Sequence, residues 1–224
     1  MSSTTTLHQD VIPGQPSSVL VRKYSLEVVH KMKADLLHAT LSQGAPCCAV
    51  GVSVGLTTSG AHIRSIVLAT RDHVFHLVLH HQPTPAQKGI LRRLLSKISC
   101  LTGFEFPYTV TLLARTLGGV ISGHDLSTIT LNSKEQGIMT AGTLIRAGNS
   151  SASARRIDEQ WDSGYLCSDA KSTEAVEPDY CLRAWITAMC VSIFQYLCLK
   201  LPNYHFQRCQ HGSTRITDQS AVEH

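Results

Sequence analysis

Charge is scarce in this sequence. Only 16% of its 224 residues are Asp, Glu, Lys or Arg, against roughly 25% in an ordinary soluble domain. A disordered chain needs the opposite, high charge with few apolar residues, so 43% apolar content predicts a folded protein. Aromatics are scarce too, at 6%, which leaves few side chains for a base-stacking platform. No apolar run approaches the roughly 18 residues of a membrane span, so no membrane association is expected. The opening stretch, MSSTTTLHQDVIPGQPSS, has neither a basic start nor an apolar centre, which excludes a secretory signal there and predicts an intracellular protein. No two cysteines are spaced as CxxC. The eight cysteines are therefore read as free thiols in a reducing compartment, packing as small hydrophobes. His205, Cys209 and His211 come closest to a zinc set but have no fourth ligand nearby,. His73, His76, His80 and His81 punctuate one apolar strand, and alternation puts His73 on the face opposite His76 and His80, which reads as surface histidines,. A net charge of +4 permits a nucleic-acid partner without demanding one.

The chain divides into three parts. Residues 1–22 are rich in Ser, Thr and Pro and are expected to be a disordered tail, 23–203 form the folded domain, and 204–224 are a polar tail,. In 25–41 the positions Leu26, Val29, Met32, Leu36 and Leu37 recur at three- and four-residue steps behind Ser25, which predicts a helix,. Three β-rich runs follow in quick succession, at 47–56, 62–70 and 73–80, with hairpin-length connections,. Pro83 and Pro85 open a second helix whose apolar face is Ile90, Leu91, Leu94, Leu95 and Ile98,. A short strand at 100–106, a helix from Pro107 to the Gly118-Gly119 pair and a brief strand near 120–131 come next,. The pattern then dissolves over about 132–178 into an irregular insertion, and a strongly apolar helix ends at Pro202,. This order describes a mixed sheet flanked by helices.

Several local phrases carry a resemblance. Leu68-Ala69-Thr70 precedes Asp72, Val74, Phe75 and Leu79, and Gly103-Phe104-Glu105-Phe106-Pro107-Tyr108-Thr109 runs on to Leu113. Leu117-Gly118-Gly119-Val120 is followed by Asp125, and Ile193-Phe194-Gln195-Tyr196-Leu197 lies in the last helix. Across about 24–200 these phrases resemble the DEDD-type 3′–5′ exonuclease domain of the ribonuclease H-like superfamily. The resemblance implies an α/β fold with a ribonuclease H-like mixed five-stranded sheet flanked by helices. It also implies two divalent cations, held by four carboxylates, that activate water and stabilise the leaving oxygen. At those four places this chain has Ser53, Gly55, Thr109 and Ile186, or Ala188 if the last helix slips by two. None is a charged oxygen ligand for Mg²⁺ or Mn²⁺. Leu182 falls near the family's acid–base position.

The expectation is therefore an inactive exonuclease-like domain with no cofactor, kept as a binding surface. The candidate partner is single-stranded nucleic acid, held by Lys88, Arg92, Arg93 and Lys97 on one helix and by Arg155 and Arg156 in the insertion, with Tyr108 and Trp161 as the stacking candidates,. A solvated helix face is the bland alternative for the first group. Two other readings stand beside it. One is a protein-interaction or scaffold domain. The other is an active Mg- or Mn-dependent nuclease with relocated carboxylates, foremost Glu105 and Asp125. Asp158, Glu159 and Asp162 are read as a solvated, charged loop.

Overall fold

A computed structural model describes residues 2–8, 10–42, 49–56, 63–98, 100–128, 139–166 and 177–200. The C-terminal tail with His205, Cys209 and His211, and the Cys47-Cys48 pair, lie outside the described residues. The strands are β1 (Ser2–His8), β2 (Ser18–Ser25), β3 (Ala49–Leu56), β4 (Ile63–Ala69), β5 (His73–Val78), β6 (Cys100–Gly103) and β7 (His124–Asp125). The helices are α1 (Val29–Ser42), α2 (Pro85–Lys97), α3 (Phe106–Leu117), α4 (Ala141–Gly148), α5 (Ala154–Leu166) and α6 (Glu177–Lys200).

All seven strands form one mixed sheet in the order β1-β2-β5-β4-β3-β6-β7. Strands β3, β4 and β5 pair antiparallel, while β6 joins β3 and β7 joins β6 in parallel. These are the five expected strands. Two more precede them: β2 lies parallel to β5, and β1 pairs with β2 in an antiparallel ladder from Ser2↔Tyr24 to His8↔Ser18. Within the segment expected to be a disordered tail, Ser2–His8 is a strand and β2 begins at Ser18. The Thr-rich β1 looked like a tail because both of its faces are exposed except at Leu7, so no apolar alternation marks it. Val11 and Ile12 then tuck into the core, and Asn149 Nδ2 donates to the Pro13 carbonyl at 2.8 Å.

The pleat sorts side chains to two faces. Val52, Ile66, Leu68, Phe75 and Leu77 pack against α1, α2 and α3. Val67, Ala69 and Val74 pack against α4, α5 and α6. Helix α2 starts on a reciprocal cap, in which Thr84 Oγ1 accepts from Gln87 N and Gln87 Oε1 accepts from Thr84 N, with Pro85 in the first turn,. Helix α3 stops at Gly118, whose φ of 72° suits glycine,.

The insertion at 132–178 also departs from expectation, because it contains α4 and α5. Helix α4 spans only eight residues, with glycines near both ends, so its period is too brief to read. Asp158 on α5 holds its start. One carboxylate oxygen accepts from Gly142 N at 2.7 Å and the other from Thr140 Oγ1 at 3.0 Å. Asp158 is therefore a half-buried helix cap and not part of a solvated loop, whereas Glu159 stays outside and pairs with Arg155. Between the sheet and the α4–α5 pair lies α6, buried on all sides from Tyr180 to Val191. That position explains its apolar circumference.

Candidate functional site

The expected cleft lies where α6 crosses β3. Alternation sends Gly51, Ser53 and Gly55 to the α6 face and Val52 to the other,. The crossing is possible because two of these three residues lack a side chain. A Cβ at position 51 would run into the Ala184 carbonyl oxygen and lie 2.7 Å from Ala188 N. At position 55 it would lie 2.5 Å from Ser65 Oγ and 2.8 Å from Tyr180 Cε2. Ordinary carbon contacts sit near 3.5–4.0 Å. The Tyr180 ring therefore occupies the space that a side chain at 55 would need, and Ser53 between the two glycines is buried.

The next strand closes the site from the side. The β3–β6 ladder pairs Gly51 with Thr102, and a Cβ at position 103 would lie 3.6 Å from Val52 Cγ1. Phe104 follows directly after β6 and is buried in the core on the α6 side. Phe104 meets Trp161 of α5 edge-on at 5.5 Å, and the Arg183 guanidinium of α6 sits 4.0 Å from the Trp161 ring centroid. Arg183 is 8% exposed, so this cation–π contact is largely shielded from water. Aromatic rings and one buried guanidinium fill the region between α6 and the ends of β3 and β6. Sequence reasoning missed Tyr180 and Arg183, which look like ordinary members of an apolar helix. Only the register of α6 on β3 reveals their place.

The carboxylates near the site are engaged or turned elsewhere. Asp125 pairs with Gly103 in the β6–β7 ladder, which puts it on the face of Val52, away from Ser53. Its Oδ1 accepts from Ser127 N at 3.1 Å and Ser127 Oγ at 2.7 Å, which caps the 3₁₀ turn Leu126–Thr128,. Glu105 is exposed at the start of α3 with a left-handed backbone, φ 50°. Thr109 is half-exposed in the first turn of α3, and Ile186, Ala188 and Leu182 are buried in the α6 core. Among the described residues no three His, Cys, Asp or Glu side chains gather around a point where a metal ion could sit. Among the described residues, Ser53, Gly55, Thr109 and Ile186 offer a divalent cation no charged oxygen ligand,.

The basic residues fall into two sets. Lys88, Arg92 and Arg93 are on α2, whose core side packs with α1 and α3, while Arg155 and Arg156 are on α5 across the sheet. Nothing brings the two sets into one groove. The side chain of Lys97 lies outside the described residues. Arg155 Nε donates to Glu159 Oε1 at 2.7 Å, and Arg156 Nη2 is 3.8 Å from Asp10 Oδ2. Trp161 is covered by Arg183, but Tyr108 on α3 is 49% exposed. The histidines divide as alternation requires, with one difference: His76 is buried against the α6 side, whereas His80 and His81 are exposed. Burial, with Arg22 adding to it, lowers the His73 pKa.

No sequence-family profile matches the chain, and no curated protein is similar to it in sequence. Solved structures are similar in fold. The Nibbler EXO domain of Aedes aegypti superposes with a TM-score of 0.56 at 13% identity, over 79% of this chain and 87% of that one. Two structures of the EXD2 exonuclease domain give lower scores. The one soaked in Mg has a TM-score of 0.40 at 15% identity, over 84% of this chain and 99% of that one. The one soaked in Mn and Mg has 0.38 at 13% identity, over 79% and 88%. With its hairpin-built central strands, parallel β6 and β7 and the long α6 across β3, the chain has a ribonuclease H-like fold, which it shares with the Nibbler EXO domain.

Proposed function

We propose that this domain keeps the exonuclease fold without two-metal chemistry and serves as a nucleic-acid-binding pseudo-nuclease inside the cell. The observation that carries this reading is the Tyr180 ring at 2.8 Å from the Cβ position of Gly55. A carboxylate there needs both a side chain and the space the ring fills. With Ser53 beside it and Thr109 on α3, three of the aligned positions offer no negative oxygen ligand, and Ile186 supplies none from α6,. The relocated alternative loses support from geometry, because Asp125 faces away from Ser53 and is already used as a cap. A nucleic-acid partner is supported by the fold itself, which is that of exonuclease domains, and by the excess of Lys and Arg,.

The test is digestion of a 5′-labelled single strand with Mg²⁺ or Mn²⁺, beside a filter-binding titration at two salt concentrations. The expected result is an intact strand and binding that weakens with salt. A ladder that disappears with chelator overturns the reading and makes Glu105 and Asp125 the first residues to replace. A protein-interaction role is the second reading, and β1 favours it. This seven-residue strand ends the sheet, and among the described residues its outer edge has no strand beside it,. Silence in both assays moves the function to that edge.

A further inference from the structure

We infer that a single-stranded nucleic acid binds across the α1–α2–α3 layer, on the side of the sheet opposite α6 and the former cleft. This rests on the nucleic-acid reading above and gives it a surface. Helices α1, α2 and α3 carry seven Lys and Arg against one acidic residue, Asp35, a net of +6. The whole chain nets +4, so everything outside these three helices sums to −2. On the other face, α4, α5 and α6 carry five basic and five acidic residues. Among the helices, the excess positive charge thus lies on α1, α2 and α3. A layer so charged draws a polyanion toward itself.

Within the three helices these cations have one carboxylate among them. Asp35 is taken by Tyr24, whose hydroxyl donates to its Oδ2 at 2.6 Å, and by Arg22 at 3.8 Å. Helices α2 and α3 contain no carboxylate. This contrasts with Arg155 and Arg156, each of which has an acidic neighbour. Helix α2 packs against both α1 and α3. Its Lys88 and Arg92 are one turn apart, about 6 Å along the axis. The Arg92 stem reaches α3, with Cδ 3.2 Å from the Cβ position of Gly119, just past the turn that carries Arg115. The α2 and α3 cations therefore form one patch.

The same patch carries a place for a base. Tyr108, Thr111 and Arg115 are all exposed on α3, and their spacing of three and then four residues puts them on one stripe. Tyr108 is the one exposed large aromatic among the described residues. A ring at one end of a stripe and guanidinium groups at the other match a single strand, whose splayed bases stack while its phosphates are neutralised.

The test is fluorescence anisotropy of labelled 20-nucleotide oligo(dT) and oligo(rU) with the full chain over a salt series. Replacing Lys88, Arg92 and Arg93 together with Ala is expected to weaken binding at least ~10-fold and to lower the log–log salt slope by about 2, since each single-strand phosphate contact contributes roughly 0.7. Tyr108→Ala should weaken binding ~5-fold or more, from the stacking of one base, with the salt slope unchanged. The Arg155→Ala/Arg156→Ala pair should alter neither. If the wild-type chain binds neither oligonucleotide, the nucleic-acid reading and this surface both fall. If it binds and the α2 variant binds equally well, the surface alone falls. Photocrosslinking of wild-type protein to 4-thiouridine RNA gives an answer independent of variant folding. Adducts on α2 and α3 peptides support the assignment, and adducts confined to α5 or α6 overturn it.

Discussion

Replacing Gly55 with Ala tests whether the former cleft is closed by packing. The added methyl lies 2.5 Å from Ser65 Oγ, 2.8 Å from Tyr180 Cε2 and 3.0 Å from its Cδ2. Each contact is about 0.5–1.5 Å inside a comfortable separation. The Ser65 hydroxyl can rotate away, but the ring is wedged between α6 and the sheet. Overpacking of this kind costs about 1–3 kcal/mol. Tyr180→Ala opens a cavity and costs ~3 kcal/mol by itself. If the ring is what Gly55→Ala strikes, the double variant is less destabilised than the sum of the singles by at least ~1 kcal/mol. Urea unfolding at constant m-value measures all three. Additivity within ~0.5 kcal/mol, or a neutral Gly55→Ala, refutes the packing argument. The functional corollary follows directly: Ser53→Asp/Gly55→Glu restores no metal-dependent cleavage while Tyr180 is present. Cleavage by that variant sinks the reasoning outright.

Asp158→Ala removes two bonds at the start of α4, leaving the Thr140 cap on Thr143 N, and a loss of about 1–3 kcal/mol is expected in urea unfolding; an effect below ~0.5 kcal/mol contradicts the capping role. Glu105→Asn relieves a left-handed backbone at 105, since Asn tolerates that conformation better, and a gain of ~0.5–1 kcal/mol should appear as a raised thermal midpoint. Oligonucleotide binding should be unchanged by it, and a chain that cleaved nucleic acid through Glu105 would lose that activity. Tyr24 sets an alkaline limit. Burial, and then Asp35, raises its phenol pKa far above the ordinary value, which is about 10 in an unfolded chain. The unfolded chain therefore releases this proton first. The contribution is fully present below pH ~10 and declines as pH rises beyond it. Urea midpoints between pH 8 and 11 should fall less steeply in Tyr24→Phe than in wild type, and parallel curves contradict the assignment.

What could be read in advance followed the strength of each local pattern. Ile66, Leu68, Phe75 and Leu77 alternate toward one buried face, and Leu91, Leu94 and Leu95 recur at helical spacing, so their elements declare themselves. β1 does not, because an edge strand of Ser and Thr has no apolar side to betray it. α4 does not either, because it is only eight residues long and part of its cap comes from Asp158, sixteen residues after the amide it binds. The site shows the same division. Ser53 and Gly55 are visible as departures from carboxylates, but a missing ligand leaves open whether water and another donor fill the gap. The Tyr180 ring against Gly55 and the Phe104–Trp161–Arg183 stack are visible only in the fold.

The basic residues illustrate a limit of another kind. Lys88, Arg92, Arg93, Arg155 and Arg156 form two clusters in the sequence, and a linear chain does not say which side of a sheet each helix will cover. That depends on how the connections cross the strands, and it decides whether five cations make one groove or two separate surfaces. Here α2 and α5 lie on opposite faces. The cations of α5 are spent on Glu159 and Asp10, while those of α2 join Arg115 and Tyr108 in a layer that holds more positive charge than the whole chain nets. On the proposed reading, a fold without two-metal chemistry can still hold a polyanion if the charge sits elsewhere. The distribution across this sheet puts it on the outer side of α2.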